Sequence, residues 1–502
     1  MKTHTNVMRG VSLSLALTSL LFLLACGGGG GGFTTPSGNF NASSMNGQFA
    51  YQLSGADAAG SFREVGVFTS NGSGTITAGE DDFSQNTSLI STTTTGTYKV
   101  FNDGTGSITL NLSDGRSLLF AITLVSTSKV YIVIAKEQLG NNQPLITGAG
   151  VALKQDTAAF AAPPSGTFVF REHVLNIPQG TSSASVGAIT VTSGTVAGNE
   201  DVNRAGAVGS LSMTGFFNFP DVAGKGTGSF TDSGGTFTFF YYVVDANRFF
   251  LLSTDVGKVG IGQAEKQSGA PFSAASLSGG YAFGSQGDTS LNFAGVNTVG
   301  RFNADGAGGI INGALDSVQD GTSSTNVSFT GSYTVTSNTG RVAVTLNPSS
   351  GGTVSQVFWM VSPSRAFFLT NSVSEVEDGT LDLQQVATFS NSTTNGQYAL
   401  VMDGFDTAFN TYDRVGTLSW DGAGNSTLNE FANVNGINNT PGLLGGSYSV
   451  SGNPATNGRA VMAISPISNN LVFYLVSAND AYFLQNDTGF MVSGTMSKQI
   501  QP

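Results

Sequence analysis

Gly47-Gln48-Phe49 opens a stretch of chain that returns three more times, at Gly166-Thr167-Phe168, Gly279-Gly280-Tyr281 and Gly396-Gln397-Tyr398. The intervals are 119, 113 and 117 residues. A second landmark recurs inside each copy: Gly96-Thr97-Tyr98, Gly215-Phe216-Phe217, Gly331-Ser332-Tyr333 and Gly446-Ser447-Tyr448. A third closes each copy, at Lys154-Gln155, Lys266-Gln267, Gln384-Gln385 and Lys498-Gln499. Three landmarks in one order, four times over, define a tandem array of four modules.

The modules read as β-structure. Ser107-Ile108-Thr109-Leu110-Asn111-Leu112 alternates strictly, and period two puts Ile108, Leu110 and Leu112 on one sheet face. Asn71-Gly72-Ser73-Gly74, Asp305-Gly306-Ala307-Gly308 and Asp421-Gly422-Ala423-Gly424 carry the residues that hairpin turns require. No segment beyond the leader sustains a 3.6-residue apolar period. The third copy resolves into eight runs near 278–285, 298–304, 309–317, 330–336, 341–347, 354–362, 365–372 and 378–385. Eight short strands with hairpin links predict an all-β fold of four antiparallel eight-stranded modules. An up-and-down barrel removes the sheet edges; a β-sandwich of the same strand count is the alternative. Val354–Ser362 and Arg365–Thr370 are apolar on both faces, which predicts a barrel wall covered by a neighbour or a strand between packed sheets.

The first residues read as a targeting segment. Lys2 and Arg9 precede an uncharged apolar run from Val11 to Leu24, shorter than the roughly 20 residues of a spanning helix. The run ends in Leu23-Leu24-Ala25-Cys26, which resembles the lipobox of bacterial lipoproteins. That resemblance implies that Cys26 is acylated, becomes the first mature residue and ties the protein to the cell envelope. Gly27 after the cysteine is compatible with sorting to the outer membrane. The alternative is an ordinary secretory peptide, but Cys26 is the one cysteine in 502 residues, so it serves neither an intrachain disulfide nor a thiolate zinc site. Six glycines, Gly27–Gly32, begin a flexible tether. The domain reading is therefore 1–25 leader, 26–45 lipidated cysteine and tether, and modules at 46–156, 165–268, 277–386 and 395–500.

With Lys2 and Arg9 removed in the leader, 18 of the 20 Lys and Arg face 32 Asp and Glu, a net charge of −14. Such a chain lacks the basic footprint of a nucleic-acid binder. Anionic membrane surfaces repel it as well, leaving lipid as the attachment.

The modules also resemble the calycins, the lipocalin and avidin group of eight-stranded barrels, through Gly-x-aromatic in the first strand, strand count and length. Phe or Tyr stands where that group has tryptophan. The resemblance implies a capacity to hold a small apolar or glycan ligand inside a barrel.

Catalytic chemistry finds little footing. Outside the leader there is one histidine, His173, read as a solvated strand-end residue. Glu80, Asp81, Asp82, Glu200, Asp201, Asp316 and Glu430 recur after the second-to-third-strand turn. Adjacent residues on a strand point to opposite faces, so such pairs do not converge as glycoside hydrolysis requires, and they read as solvated strand ends. Asn303-Ala304-Asp305-Gly306-Ala307-Gly308 has the look of a calcium loop, but position twelve is Ala314, and a hairpin turn accounts for it. Neither cofactor nor metal is expected. Aligned on Ser126, Asp245, Ser362 and Ser477, the sixth strands place Thr123, Tyr242, Trp359 and Tyr474 in one column. Aromatics with a polar handle can line a ligand pocket, or serve as core or as a contact between modules. Trp420 reads as partly exposed and as a second ligand-binding candidate. The leading expectation is a non-enzymatic surface scaffold, adhesin or spacer. Ligand binding in the barrels comes second, and an extracellular hydrolase is the weakest reading; a transmembrane barrel fits poorly with strands apolar on both faces.

Overall fold

Alternation and turn chemistry produce eight strands in the first copy: Asn46–Asp57, Gly60–Asn71, Thr75–Gln85, Ser88–Val100, Thr105–Leu112, Arg116–Leu124, Lys129–Leu139 and Ile146–Lys154. The computed structural model describes residues 38–140, 142–289, 295–440, 442–465 and 469–502. The leader, Cys26 and the glycine run lie outside these residues. Every consecutive pair of strands is an antiparallel hairpin, and the first strand pairs with the eighth from Phe49 opposite Lys154 to Asp57 opposite Ile146. The sheet closes on itself, which decides for the barrel over the sandwich.

Barrel 2 runs from Gly166–Asn176 to Lys258–Lys266, and barrel 3 from Ser278–Thr289 to Glu375–Leu383, with the same order and closure. Barrel 4 closes through Gly396–Asp406 and Phe490–Lys498; its fourth strand is split into Ile437–Asn439 and Leu443–Val450. The third and fourth strands are longer than the sequence pattern shows. In barrel 3 they reach Gln319 and begin again at Thr322, because a two-residue turn lets the ladder continue past the apolar part. The turns behave as their residues require. Asp305 accepts from the Ala307 and Gly309 N–H groups at 2.7 and 2.8 Å, and Asn71 and Asp421 do the same in their copies. The carboxylate of the calcium-like loop is thus spent on its own backbone.

Each barrel interior is filled by side chains. In barrel 2, Phe168, Phe170, Phe217, Phe230, Phe239, Tyr241 and Phe249 form one buried cluster, with Phe217 meeting Tyr241 edge-on at 5.0 Å. A recurrent Val-Gly pair in the second strand makes room for such rings. A Cβ at Gly300 would lie 2.4 Å from the Phe283 ring, and one at Gly66 2.6 Å from Tyr51. The residues before each first strand are not free linkers. Phe40, Phe272 and Phe389 are buried in the barrels they precede, and Phe160 packs against barrel 2. Short 3-10 turns at Ala42–Ser44, Thr157–Ala161, Ala274–Ser276 and Asn391–Thr394 hold these plugs. The second landmark latches them: Tyr98 donates to the Ala42 carbonyl at 2.9 Å and Tyr333 to Ala274 at 3.0 Å. The expected tether therefore stops short of Met45, since Phe40 and Met45 belong to the core of barrel 1.

The barrels join in a closed ring. Strands one to three of each barrel pack on strands six to eight of the next, from 1 to 2, 2 to 3 and 3 to 4, and finally from 4 back to 1. Four apolar clusters mark these seams. Val65 and Val67 meet Tyr242 and Phe250, and Val186 meets Trp359 and Phe367. Val299 meets Val472 and Tyr474, and Val415 meets Tyr131 and Val133. The strands that are apolar on both faces are those with a barrel interior on one side and a neighbour on the other.

The third landmark is the clasp. Gln155 Nε2 donates to the Ala223 and Val243 carbonyls of barrel 2, Gln267 to Thr339 and Met360 of barrel 3, and Gln384 to Asn457 and Leu475 of barrel 4. Gln499 reaches Asp103 and Leu124 of barrel 1 at 2.9 and 2.7 Å. Gln267→Ala leaves two carbonyls unpaired and is expected to cost about 1–3 kcal/mol. Equilibrium denaturation measures it, and an unchanged midpoint would show that the clasp is ornamental.

Candidate functional site

The recurrent polar residues gather at the seams. Asp82, Asp201 and Asp316 sit on third strands and point out of their barrels. Tyr242 donates to Asp82 at 2.5 Å, Trp359 Nε1 to Asp201 at 2.8 Å and Tyr474 to Asp316 at 2.6 Å. A cation from the first position of the fifth strand completes each group. Lys225 Nζ lies 2.7 Å from Asp82, and Arg341 and Arg459 each grip their carboxylate with two bonds of 2.7 Å. Burial, followed by the facing carboxylate's charge, pushes the Tyr242 and Tyr474 phenols well above their ordinary range, so they remain donors.

Tyr242, Trp359 and Tyr474 are thus spent on contacts between modules, and Thr123 holds the same column position in the remaining seam. Trp420 is 1% exposed, against the expectation of partial exposure. It stacks on Tyr448 at 4.4 Å inside barrel 4, because the turn after it folds under the Asn391–Thr394 plug. Glu80 stays partly exposed beside Lys225, but the other acidic residues are not solvated strand ends. Asp82, Asp201 and Asp316 are buried at seams, while Asp81, Glu200 and Glu430, one residue earlier in register, are buried beside arginines.

In barrel 1 these inward groups form a cluster. Tyr51 donates to Asp81 at 2.5 Å, Glu64 lies beside them, and Arg116 reaches Glu137 at 3.4 Å and Asp114 at 2.7 Å. Burial, then the neighbouring Asp81, raises the Glu64 carboxyl well above normal; burial likewise raises Asp81. In barrel 2, burial and then Asp232 push Glu200 to about 9.

His173 also departs from its expectation. It lies within Gly166–Asn176, where barrel 2 meets barrel 3, with Nδ1 2.9 Å from Asp378 and Nε2 3.2 Å from Asp288. Arg171 joins Asp378 at 2.9 Å, and Gln286 of barrel 3 bonds Asp403 of barrel 4 at 3.0 Å. Arg63 of barrel 1 feels the charges of Asp288, Asp403 and Asp378, so groups from all four barrels share one electrostatic cluster. Burial disfavours the imidazolium, but the hydrogen bonds and charges of Asp288 and Asp378 outweigh it and hold His173 at about 9.

The sequence singles out the carboxylates, the aromatic column and, as a landmark without a role, the glutamines, but not the cations. Lys225, Arg341 and Arg459 each open the fifth strand of their copy, but alignment on the second landmark brings only Lys225 and Arg341 together, because Arg459 lies three residues further on. Asp288 and Asp378 have no equivalents in the other copies to point to them.

Fold and seams together define a class: an all-β protein of four tandem eight-stranded barrels closed into a ring. No family model matches the chain, and no curated protein matches it. Among solved structures, intact Ap-TbpB with its N and C lobes aligns at 9% identity over 76% of this chain and 87% of its own, with a TM-score of 0.18. A mutant of the vaccine antigen Transferrin Binding Protein B from Haemophilus parasuis Hp5 aligns at 10% identity over 75% and 84%, also at 0.18. Superposition that low says nothing of this chain's partners.

Two outcomes follow from the site. Asp316→Ala strands Arg459 and the Tyr474 hydroxyl in a buried seam and is expected to cost about 3–5 kcal/mol in denaturant unfolding. A loss no larger than that of a surface substitution would count against the seam. His173 contributes stability that is complete below its unfolded value near 6.5 and is lost as pH rises through about 9. The wild type should therefore lose on the order of 2 kcal/mol relative to His173→Gln across that window. Parallel pH profiles for the two proteins would contradict this.

Proposed function

We propose that the protein is a cell-envelope lipoprotein, anchored through Cys26, whose ring of barrels is a non-enzymatic scaffold presented for contact with other macromolecules. The observation that carries this reading is where the repeated chemistry is spent. The outward carboxylates Asp82, Asp201 and Asp316, the cations and aromatic donors that face them, and the four clasp glutamines hold one barrel to the next. A repeated ligand site would instead aim its recurrent polar groups at a shared cavity. The barrel interiors, where a calycin would hold its ligand, contain packed aromatic side chains and plugs. Segments 375 residues and more apart close the ring, with the Asn39 N–H donating to Gln501 Oε1 at 2.7 Å and Gln499 to the Leu124 carbonyl.

Cys26→Ser is expected to move the protein from the membrane fraction to the soluble fraction and to abolish incorporation of labelled palmitate. Continued membrane retention without label would refute the lipid anchor. Retention with label would show that acylation occurs elsewhere.

A further inference from the structure

The four seams share one geometry but not one chemistry. In each, a valine of the second strand stands opposite a third-strand residue. Val65 faces Asp82, Val186 faces Asp201, Val299 faces Asp316, and Val415 faces Phe431. The neighbouring barrel offers a pair from its fifth and sixth strands: Lys225 with Tyr242, Arg341 with Trp359, Arg459 with Tyr474, and Thr105 with Thr123. Three seams therefore join a carboxylate to a cation and an aromatic donor. The fourth, between barrel 4 and barrel 1, replaces all three members at once, with Phe for Asp on one side and two threonines on the other.

These replacements lie at opposite ends of the chain and meet only in the ring. Phe431 packs against the cluster of Ala121, Val125, Val133, Ala399 and Val415. Thr105 turns its hydroxyl back to Asp103 at 2.7 Å, and the buried Thr123 hydroxyl has no hydrogen-bond partner among the described residues. Polar contact at this seam comes from elsewhere, chiefly Tyr131 with Ser497 at 3.0 Å and Asn433 with the Ile134 and Ile146 carbonyls. This is also the one seam whose two barrels are not consecutive in the chain, so its pairing rests on surface chemistry alone.

We propose that the barrel 4–barrel 1 seam carries a private pairing code, and that its two faces, once parted, form a head-to-tail docking surface whose partner is a second copy of this chain. The code works by exclusion. If the Asp-bearing face of barrel 1, 2 or 3 met Thr105 and Thr123, a carboxylate would be buried with no cation. If the Phe431 face met Lys225 and Tyr242, an ammonium would be buried with no anion. Either mismatch costs more than the contact returns. Barrel 4 thus accepts barrel 1 and rejects the internal barrels, of its own chain or of another. The faces are heterologous, so an open chain exposes both complementary halves and either closes on itself or adds to a neighbour. Linkage through the chain favours closure by effective concentration.

The test uses the full mature chain in a Cys26→Ser background, followed by light scattering on a sizing column and small-angle scattering over a wide range of protein concentration. The unaltered ring should remain a compact monomer throughout. Phe431→Asp should expand it and produce multimers that grow with concentration. Adding Thr105→Arg and Thr123→Tyr to Phe431→Asp should rebuild the triad of the other seams and restore the compact monomer. Thr105→Arg with Thr123→Tyr alone supplies the mismatch from the other side and should open the ring as Phe431→Asp does. If either mismatched variant fails to accumulate while the triple variant folds as a monomer, the compensation still supports the code. A Phe431→Asp chain that stays compact and monomeric would overturn the proposal, and so would a triple variant that stays open or does not fold.

Discussion

One contact holds this protein together: the outer face of strands one to three in each barrel against the outer face of strands six to eight in the next. It is used four times. Without it, strands such as Val354–Ser362 would leave Val357, Trp359 and Val361 in water, although all three are buried in the ring. An isolated barrel would carry an apolar face on either side, an aggregation hazard. Closing the ring removes both faces on every module, much as closing each sheet removes its edges. The same solution thus operates at two scales, strand to barrel and barrel to ring.

Charge buried in such contacts is costly, and its distribution shows what it is used for. The Asp201 carboxylate is matched by two Arg341 bonds and the Trp359 N–H, which offset the loss of hydration and fix the rotation of one barrel on the next. Apolar residues alone would bind two barrels but would tolerate slippage between them. Where the four barrels approach one another, His173, Asp288, Asp378, Asp403 and Arg63 balance one another, each group drawn from a different strand. The members of this cluster face one another across the contacts between barrels.

The barrels resemble ligand carriers in strand number, yet their interiors are occupied. Phe40, Phe272 and Phe389 enter from the preceding segments and are buried in the cores. The Tyr98 and Tyr333 hydroxyls tie two of these plugs to the wall. Segments that look like linkers by composition become part of the core, because a barrel mouth left open would expose the aromatic rings within.

The sequence by itself determined what depends on neighbours along the chain. Period-two alternation set the strands, Asn-Gly and Asp-Gly set the turns, and four occurrences of Gly-x-aromatic set the number of modules. The two-faced apolar strands even announced that something must cover them. Only the tertiary structure decided what covers them. Tyr242 and Asp82 are 160 residues apart, and Gln499 and Leu124 are 375 apart. Their meeting depends on how each barrel is rotated against the next, and the alternation of a strand, which reports only inside or outside, carries no record of that angle. For the same reason His173 and the seam aspartates Asp82, Asp201 and Asp316 read as solvated strand ends: each lies on an outward face, and a ring turns outward faces into buried ones, whereas Asp81, Glu200 and Glu430 face the barrel interiors beside arginines.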